Sequence, residues 1–483
     1  MKMQKIAVSV LFVMLLAAGI QVFAGNQDTA DDVVPAYVPP AKKTPAPVKL
    51  PPVAEKILKN GLKVIVVEQN ELPVISMRLQ CNEGSFADPP GKAGLTRFMT
   101  GLLTQGTQKY SASEIAEKID FIGGSLDAGS DWDACYISVT VLSKYTDTAV
   151  ELFREVALHP TFAQEEIERL RAQTLSGIKS DRDNPASLAN DEFNRWLYGD
   201  YPYAFPIGGN EESVANLTRD DILTQYRALF IPNNSVFVVI GDVKASEAFK
   251  IAVRIFEGWN RGERTAAVHS LPKPPQGYSV RIINKPDATQ TQIRFGHFGV
   301  PRNTEDYFPL VVMNYILGGG GFSSRMMKHI RSELGLTYGI NSSFSMRRSA
   351  GPFVVGTYTK NESTLQAIQE TIRLMREFRE QGPTEQELEE AVSYLTGSYP
   401  LNFDTPGQIA SQLLNIELYG LGADYIEKYR SRIEAVTPDD VLRVARKYLG
   451  PDNMIFVVVS KPDDVRSGLE SLGPLEIVDI PEQ

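Results

Sequence analysis

Enzymatic hydrolysis needs an activated nucleophile, a base, and donors for the charge that develops on the attacked carbonyl. In this chain residue type and spacing alone mark out none of these. Arg331 and Tyr338 lie seven residues apart in Ile330-Arg-Ser-Glu-Leu-Gly-Leu-Thr-Tyr-Gly339. A guanidinium and a phenol are strong hydrogen-bond donors, and two aimed at one oxygen stabilise an oxyanion. By residue type alone they read as a helix-end Arg and a core Tyr. The four histidines, His159, His269, His297 and His329, are scattered without ligand-like pairing. Gly318-Gly-Gly-Gly321 is followed by Phe322-Ser-Ser-Arg325 rather than the Gly-Lys-Ser/Thr of a phosphate loop.

On a helix, side chains at i and i+4 share a face, so a pair of ligands at that spacing closes on one metal ion. The stretch Gly94-Leu-Thr-Arg-Phe-Met-Thr-Gly-Leu-Leu-Thr-Gln-Gly-Thr107 follows Asn60-Gly-Leu-Lys-Val64, Pro73 and Gly84-Ser85. Together these segments resemble the pitrilysin and mitochondrial-processing-peptidase family of inverted zinc peptidases. That family's metal helix carries His-x-x-Glu-His, two zinc ligands with the general base beside the second. The resemblance places Arg97 and Gly101 at the histidine positions and Thr100 at the glutamate. It places Gly177, 76 residues beyond Gly101, at the third ligand, a glutamate in active members. An Arg stays protonated and has no lone pair to give, and a Gly has no side chain. No metal or other cofactor is therefore expected in this chain, and zinc is expected in a partner subunit. The family's second domain contributes an Arg and a Tyr that reach the substrate across a chamber, and Arg331 and Tyr338 match them. The glycine run resembles the family's approach to that helix, which makes it a hinge or spacer.

The first residues are Met1-Lys-Met-Gln-Lys5, an apolar run from Ile6 to Ile20, and Val22-Phe-Ala24. A basic start, about fifteen apolar residues and a small residue at the cut make residues 1–24 a secretory signal peptide. The run is too short for a comfortable membrane span. Residues 25–52 are polar and proline-rich, a semi-extended tether. A linker at 261–277, with Pro272, Pro274 and Pro275, then separates an N-terminal domain, 53–260, from a C-terminal domain, 278–480. The two halves repeat. Leu217-Thr-Arg-Asp-Asp-Ile222 returns as Val436-Thr-Pro-Asp-Asp-Val441, and Phe237-Val-Val239 as Phe456-Val-Val458, both 219 residues later. In each copy a Thr cap with acids in the first turn starts a helix, and a β-branched strand follows it.

Strands come first in each half: Leu62–Val67 and Val74–Leu79 as a hairpin, then Gln292–Phe298 opening the second half. Long helices follow, as at 165–178 and 385–396. The fold class is α+β: two tandem homologous domains, each an antiparallel or mixed sheet with helices packed on one face. The family resemblance implies the same fold, a metallopeptidase clamshell half.

With 49 basic against 59 acidic residues the net charge is −10, and no basic run is present, which argues against nucleic acid as a partner. Export places the protein in the periplasm, with secretion as the alternative. In an oxidising compartment Cys81 and Cys135 either pair, closing a loop worth ~4 kcal/mol, or remain ordinary buried thiols. The expected function is a non-catalytic, substrate-binding subunit of a heterodimeric zinc metallopeptidase that hydrolyses peptides. Its partner would be a homologous zinc-bearing subunit. The alternative is a structural or peptide-binding scaffold with no part in proteolysis.

Overall fold

Two seven-residue runs, Ser235–Gly241 and Met454–Ser460, are buried at every position. A strand buried on both faces needs a neighbour at each side and a covering layer above and below. In the computed structural model, which describes residues 48–263 and 269–479, each run sits inside a six-stranded sheet. The signal peptide and most of the tether lie outside the described residues.

The first sheet is built from β1 (Val53–Ile57), β2 (Lys63–Glu68), β3 (Val74–Cys81), β4 (Ser125–Ser130), β5 (Cys135–Leu142) and β6 (Ser235–Gly241). The second uses β7 (Tyr278–Asn284), β8 (Thr291–Phe298), β9 (Ile340–Phe344), β10 (Pro352–Thr359), β11 (Met454–Ser460) and β12 (Leu475–Asp479). Their orders are β1-β2-β6-β3-β5-β4 and β12-β7-β11-β8-β10-β9. Both are mixed sheets with the same internal plan. β6 runs parallel to β2 and antiparallel to β3, as β11 does to β7 and β8. The repeat extends to the helix before the inner strand, Arg219–Leu229 in one copy and Pro438–Tyr448 in the other. Thr218 and Thr437 close identical capping boxes with Asp221 and Asp440. The symmetry breaks at the outer edge, which β1 fills antiparallel to β2 and β12 fills parallel to β7.

The expected hairpin of 62–67 with 74–79 does not form. β6 lies between β2 and β3, because four of six β2 residues and every β6 residue are buried, and two such strands shield each other. Cys81 and Cys135 are register partners on β3 and β5, both buried and both free thiols.

Helices of each half cover one face of its own sheet, and the other face is covered by exchange. The Pro185–Tyr198 helix of the first half packs on β8 and β11. Its Ala189, Phe193 and Leu197 meet Ile455, Val457 and Val459. Reciprocally, the Pro406–Tyr419 helix of the second half packs on β3 and β6. Arg78 on β3 donates to Ser411 Oγ of that helix at 3.1 Å. Buried aliphatic side chains of this kind stabilise by about 1.5–3 kcal/mol each, so these faces hold the halves together.

The hairpin tips meet as well. Asp133, between β4 and β5, accepts from the backbone N–H of Arg348, between β9 and β10, at 2.8 Å, and from the Tyr419 hydroxyl at 2.9 Å. Arg348 also pairs with Glu83 at 2.9 Å. Arg347 lies over the rings of Trp132 and Tyr203, at 4.8 and 4.5 Å.

Candidate functional site

The Leu95–Leu102 helix carries three of the four emptied motif positions, and its start is set from a distance. Gly94 enters with φ +88° and supplies no side-chain cap. Asp88 does so instead, accepting from the N–H groups of Gly94 and Thr96 at 2.9 Å and from the Thr96 hydroxyl at 2.5 Å. Burial nevertheless raises the Asp88 carboxyl to about 7.

Arg97 and Gly101 stand one turn apart on this helix. Arg97 is exposed and leans on edge strand β4, so near Gly129 that a methyl group there would meet its Nη1 at 2.8 Å. Thr100 is wholly buried, its hydroxyl turned back to the Arg97 carbonyl at 3.0 Å. Gly177 belongs to the Gln164–Asp183 helix, which packs against the first one. A methyl group at Gly101 would touch Leu170 of that helix at 3.3 Å, and one at Gly177 would meet open space. The donor set does not fit zinc: a permanent cation, a back-bonded hydroxyl and two glycines offer no ligand. Among the described residues no group of three or more His, Cys, Asp or Glu converges to hold a metal ion. The structure keeps the scaffold of a metal helix and none of its chemistry.

Arg331 sits in a π-helical segment, Met327–Glu333, a geometry concentrated at functional sites. Its guanidinium lies 4.4 Å from the ring of Phe322, which is 68% exposed. Tyr338 is 74% exposed, so the reading of it as a core Tyr is overturned. Thr337 holds the backbone beside it, donating to the Tyr358 and Gly339 carbonyls at 2.6 and 3.0 Å. The anchored residue is thus the threonine, and the tyrosine ring stands in solvent. Among the described residues no hydrogen bond or ion pair engages the Arg331 guanidinium or the Tyr338 hydroxyl.

The first glycines of the run before this helix are closely packed. A methyl group at Gly318 would fall 2.5 Å from Ser342 Oγ and 2.7 Å from Met326 Sδ, and one at Gly320 would fall 2.6 Å from the Tyr315 carbonyl. Gly318 and Gly320 thus serve close approach, while Gly321, with φ +55°, has open space where a side chain would stand. His297 is a satisfied core histidine, its Nδ1 donating to the Phe298 carbonyl at 2.7 Å and its Nε2 accepting from Gly450 N–H at 2.9 Å. The link formed by Asp133, Arg347 and Arg348 has no signature in the sequence, since its partners stand more than 200 residues apart.

Two mixed sheets with exchanged helices and an emptied inverted zinc motif define a peptidase-type clamshell half without a metal site. Residues 63–210 match the family described as Insulinase (Peptidase family M16), and residues 216–395 match the Peptidase M16 inactive domain. The chain belongs to peptidase family M16, and within it to the non-catalytic homologues. It is 25% identical to the "Non-peptidase homolog YmxG" of Helicobacter pylori, over 84% of this chain and 93% of that one. It is 24% identical to the "Uncharacterized zinc protease YmxG" of Bacillus subtilis, over 83% of this chain and 96% of that one. The crystal structure of a peptidase M16 inactive domain from Pseudomonas fluorescens superposes with a TM-score of 0.79. It is 29% identical and covers 84% of this chain and 98% of its own.

Proposed function

We propose that this chain is the substrate-binding, non-catalytic subunit of a heterodimeric zinc peptidase in an exported compartment. A homologue with the intact motif would supply the metal and the base. The observation that carries the reading is an asymmetry of loss. Arg97, Thr100, Gly101 and Gly177 replace every ligand and the base, while Arg331 and Tyr338 are kept, Tyr338 exposed and, among the described residues, neither side chain engaged by a hydrogen bond or ion pair. Donors kept without a metal suit a chain whose metal lies on another subunit. Edge strand β4, beside Arg97, also offers its open side to an extended peptide by strand addition. The leading residues 1–24 support export to the periplasm.

The test is reconstitution with a His-x-x-Glu-His homologue from the same organism. Each chain alone should leave peptides uncut, and the mixture should cleave them while eluting as one complex. In that complex Tyr338→Phe removes only a hydroxyl and should lower turnover on the order of 10²–10³-fold with zinc content unchanged. A partner fully active by itself would end this reading. Assembly with undiminished turnover in Tyr338→Phe and Arg331→Ala would favour the scaffold alternative.

A further inference from the structure

The second half holds a cavity of about 380 Å³ that no role described so far uses. Its charge comes from Arg302, just after β8, whose backbone N–H donates to the Arg347 carbonyl at 2.7 Å. The Arg302 guanidinium lies 3.6 Å from the ring centre of Tyr307 and 5.4 Å from that of Tyr425, and its Nη2 donates to the Tyr425 hydroxyl at 2.7 Å. Among the described residues no carboxylate pairs with it. An arginine presents five N–H donors in a rigid fork, and among the described residues this one donates only to the Tyr425 hydroxyl.

A second observation is independent of the first. Tyr399 forms part of the wall, is only 5% exposed, and carries a buried hydroxyl with no hydrogen-bond partner among the described residues. Buried polar groups are paired in the great majority of cases, so an orphaned phenol marks a place for an acceptor. Its ring is held by stacking on Tyr429, with centroids 3.9 Å apart and planes within 7°. Gln412 adds a neutral amide from the exchanged Pro406–Tyr419 helix, and the lining contains no Lys, Asp, Glu or second Arg.

We propose that this cavity binds a small monocarboxylate, its carboxylate taken by Arg302 and the Tyr399 hydroxyl. One guanidinium matches one negative charge, and its fork matches a planar carboxylate. The second charge of a phosphate would be left without a counter-ion. Tyrosine, asparagine and glutamine side chains around one guanidinium, in a volume within the roughly 300–1,000 Å³ of ligand pockets, suit such a molecule. The inference does not depend on the subunit pairing proposed above.

Calorimetric titration of the full chain tests it, using N-acetylphenylalanine, its amide and inorganic phosphate. A short peptide ending in Phe is added, with a free or an amidated C-terminus. The acid should bind saturably, and the amide about tenfold more weakly or worse, the usual worth of a charge-assisted hydrogen bond. Binding of the free-ended peptide assigns the site to chain ends, and its exclusion assigns it to a free acid. Arg302→Gln should abolish binding. Tyr399→Phe should weaken it roughly fivefold with melting unchanged, since the hydroxyl it removes makes no contact now. Should Arg302→Gln misfold, Tyr399→Phe carries the test. Equal affinity for acid and amide, phosphate binding as well as the acid, full binding in either variant, or no saturable binding in the low-millimolar range would overturn the proposal.

Discussion

A zinc ion needs three lone pairs converging on one point, and residues 97, 101 and 177 supply none. Purified protein should therefore carry no stoichiometric zinc by metal analysis. Restoring the motif with Arg97→His, Thr100→Glu, Gly101→His and Gly177→Glu should raise that to about one zinc per chain, with Leu170 shifting to admit the second imidazole. A chain that stays metal-free after all four changes would mean that the two helices have drifted from ligand spacing. These positions are legible in sequence because metal ligation depends on residue type at short spacing. The role of His297 is not, since one histidine reads the same in a core or on a surface. Burial holds it neutral, with its pKa lowered from 6.5 to about 4. An unfolded chain takes up a proton there that the folded one refuses. Its contribution is thus complete above pH 6.5 and is lost as pH falls toward 4, by roughly 3 kcal/mol. Asp88, raised to about 7, acts in the opposite sense over the same range. The check is therefore the difference between urea midpoints of wild type and His297→Gln. That difference should shrink on acidification through this window.

At the scale of elements, local signals were readable and long-range pairings were not. The Thr218 and Thr437 caps and the all-buried β6 and β11 announce themselves within a dozen residues, and the repeat appears at a constant offset of 219. Sheet order does not, which is why β2 and β3 looked like a hairpin until β6 was found between them. The apolar stripe of the Pro185–Tyr198 helix likewise says that it must be buried, without saying on which sheet. The joint of hairpin tips belongs to the same class of information. Asp133 is a buried carboxylate of the first half whose acceptors are engaged by Arg348 N–H and Tyr419 of the second, so removing it orphans two donors across the joint. Asp133→Ala should cost roughly 3–5 kcal/mol, read as a fall in the urea midpoint, and Asp133→Asn distinctly less. Equal, small losses in both would mean that the joint adds little beyond the exchanged helices.

For the whole molecule, the described part of the chain has no helix long and apolar enough to cross a membrane. Its halves are joined by two helices, a hairpin joint and the Glu192–Arg281 pair at 2.5 Å between the Pro185–Tyr198 helix and β7. A unit tied at so many points should move as one body. Under the proposed pairing, any opening of a chamber would then occur between this chain and its partner. Distance measurements between spin labels at Lys118 and Lys428, one in each half, should give a single narrow distribution, unchanged by a partner or a peptide. A second population would show that the halves flex.

The reciprocal exchange of helices also bears on how the chain is made. A ribosome or an export channel delivers the first half complete in its strands while the face of β3 and β6 still awaits residues 406–419, near the far end. Until they arrive, the apolar β6 side chains on that face, Val236, Val238 and Ile240, are an aggregation hazard, so the nascent chain is an expected client of holding chaperones. Fragments 48–263 and 269–479 produced separately should be insoluble, and co-produced they should recover each other as a soluble pair. A soluble, cooperatively melting first fragment would mean that the borrowed helix is dispensable during synthesis.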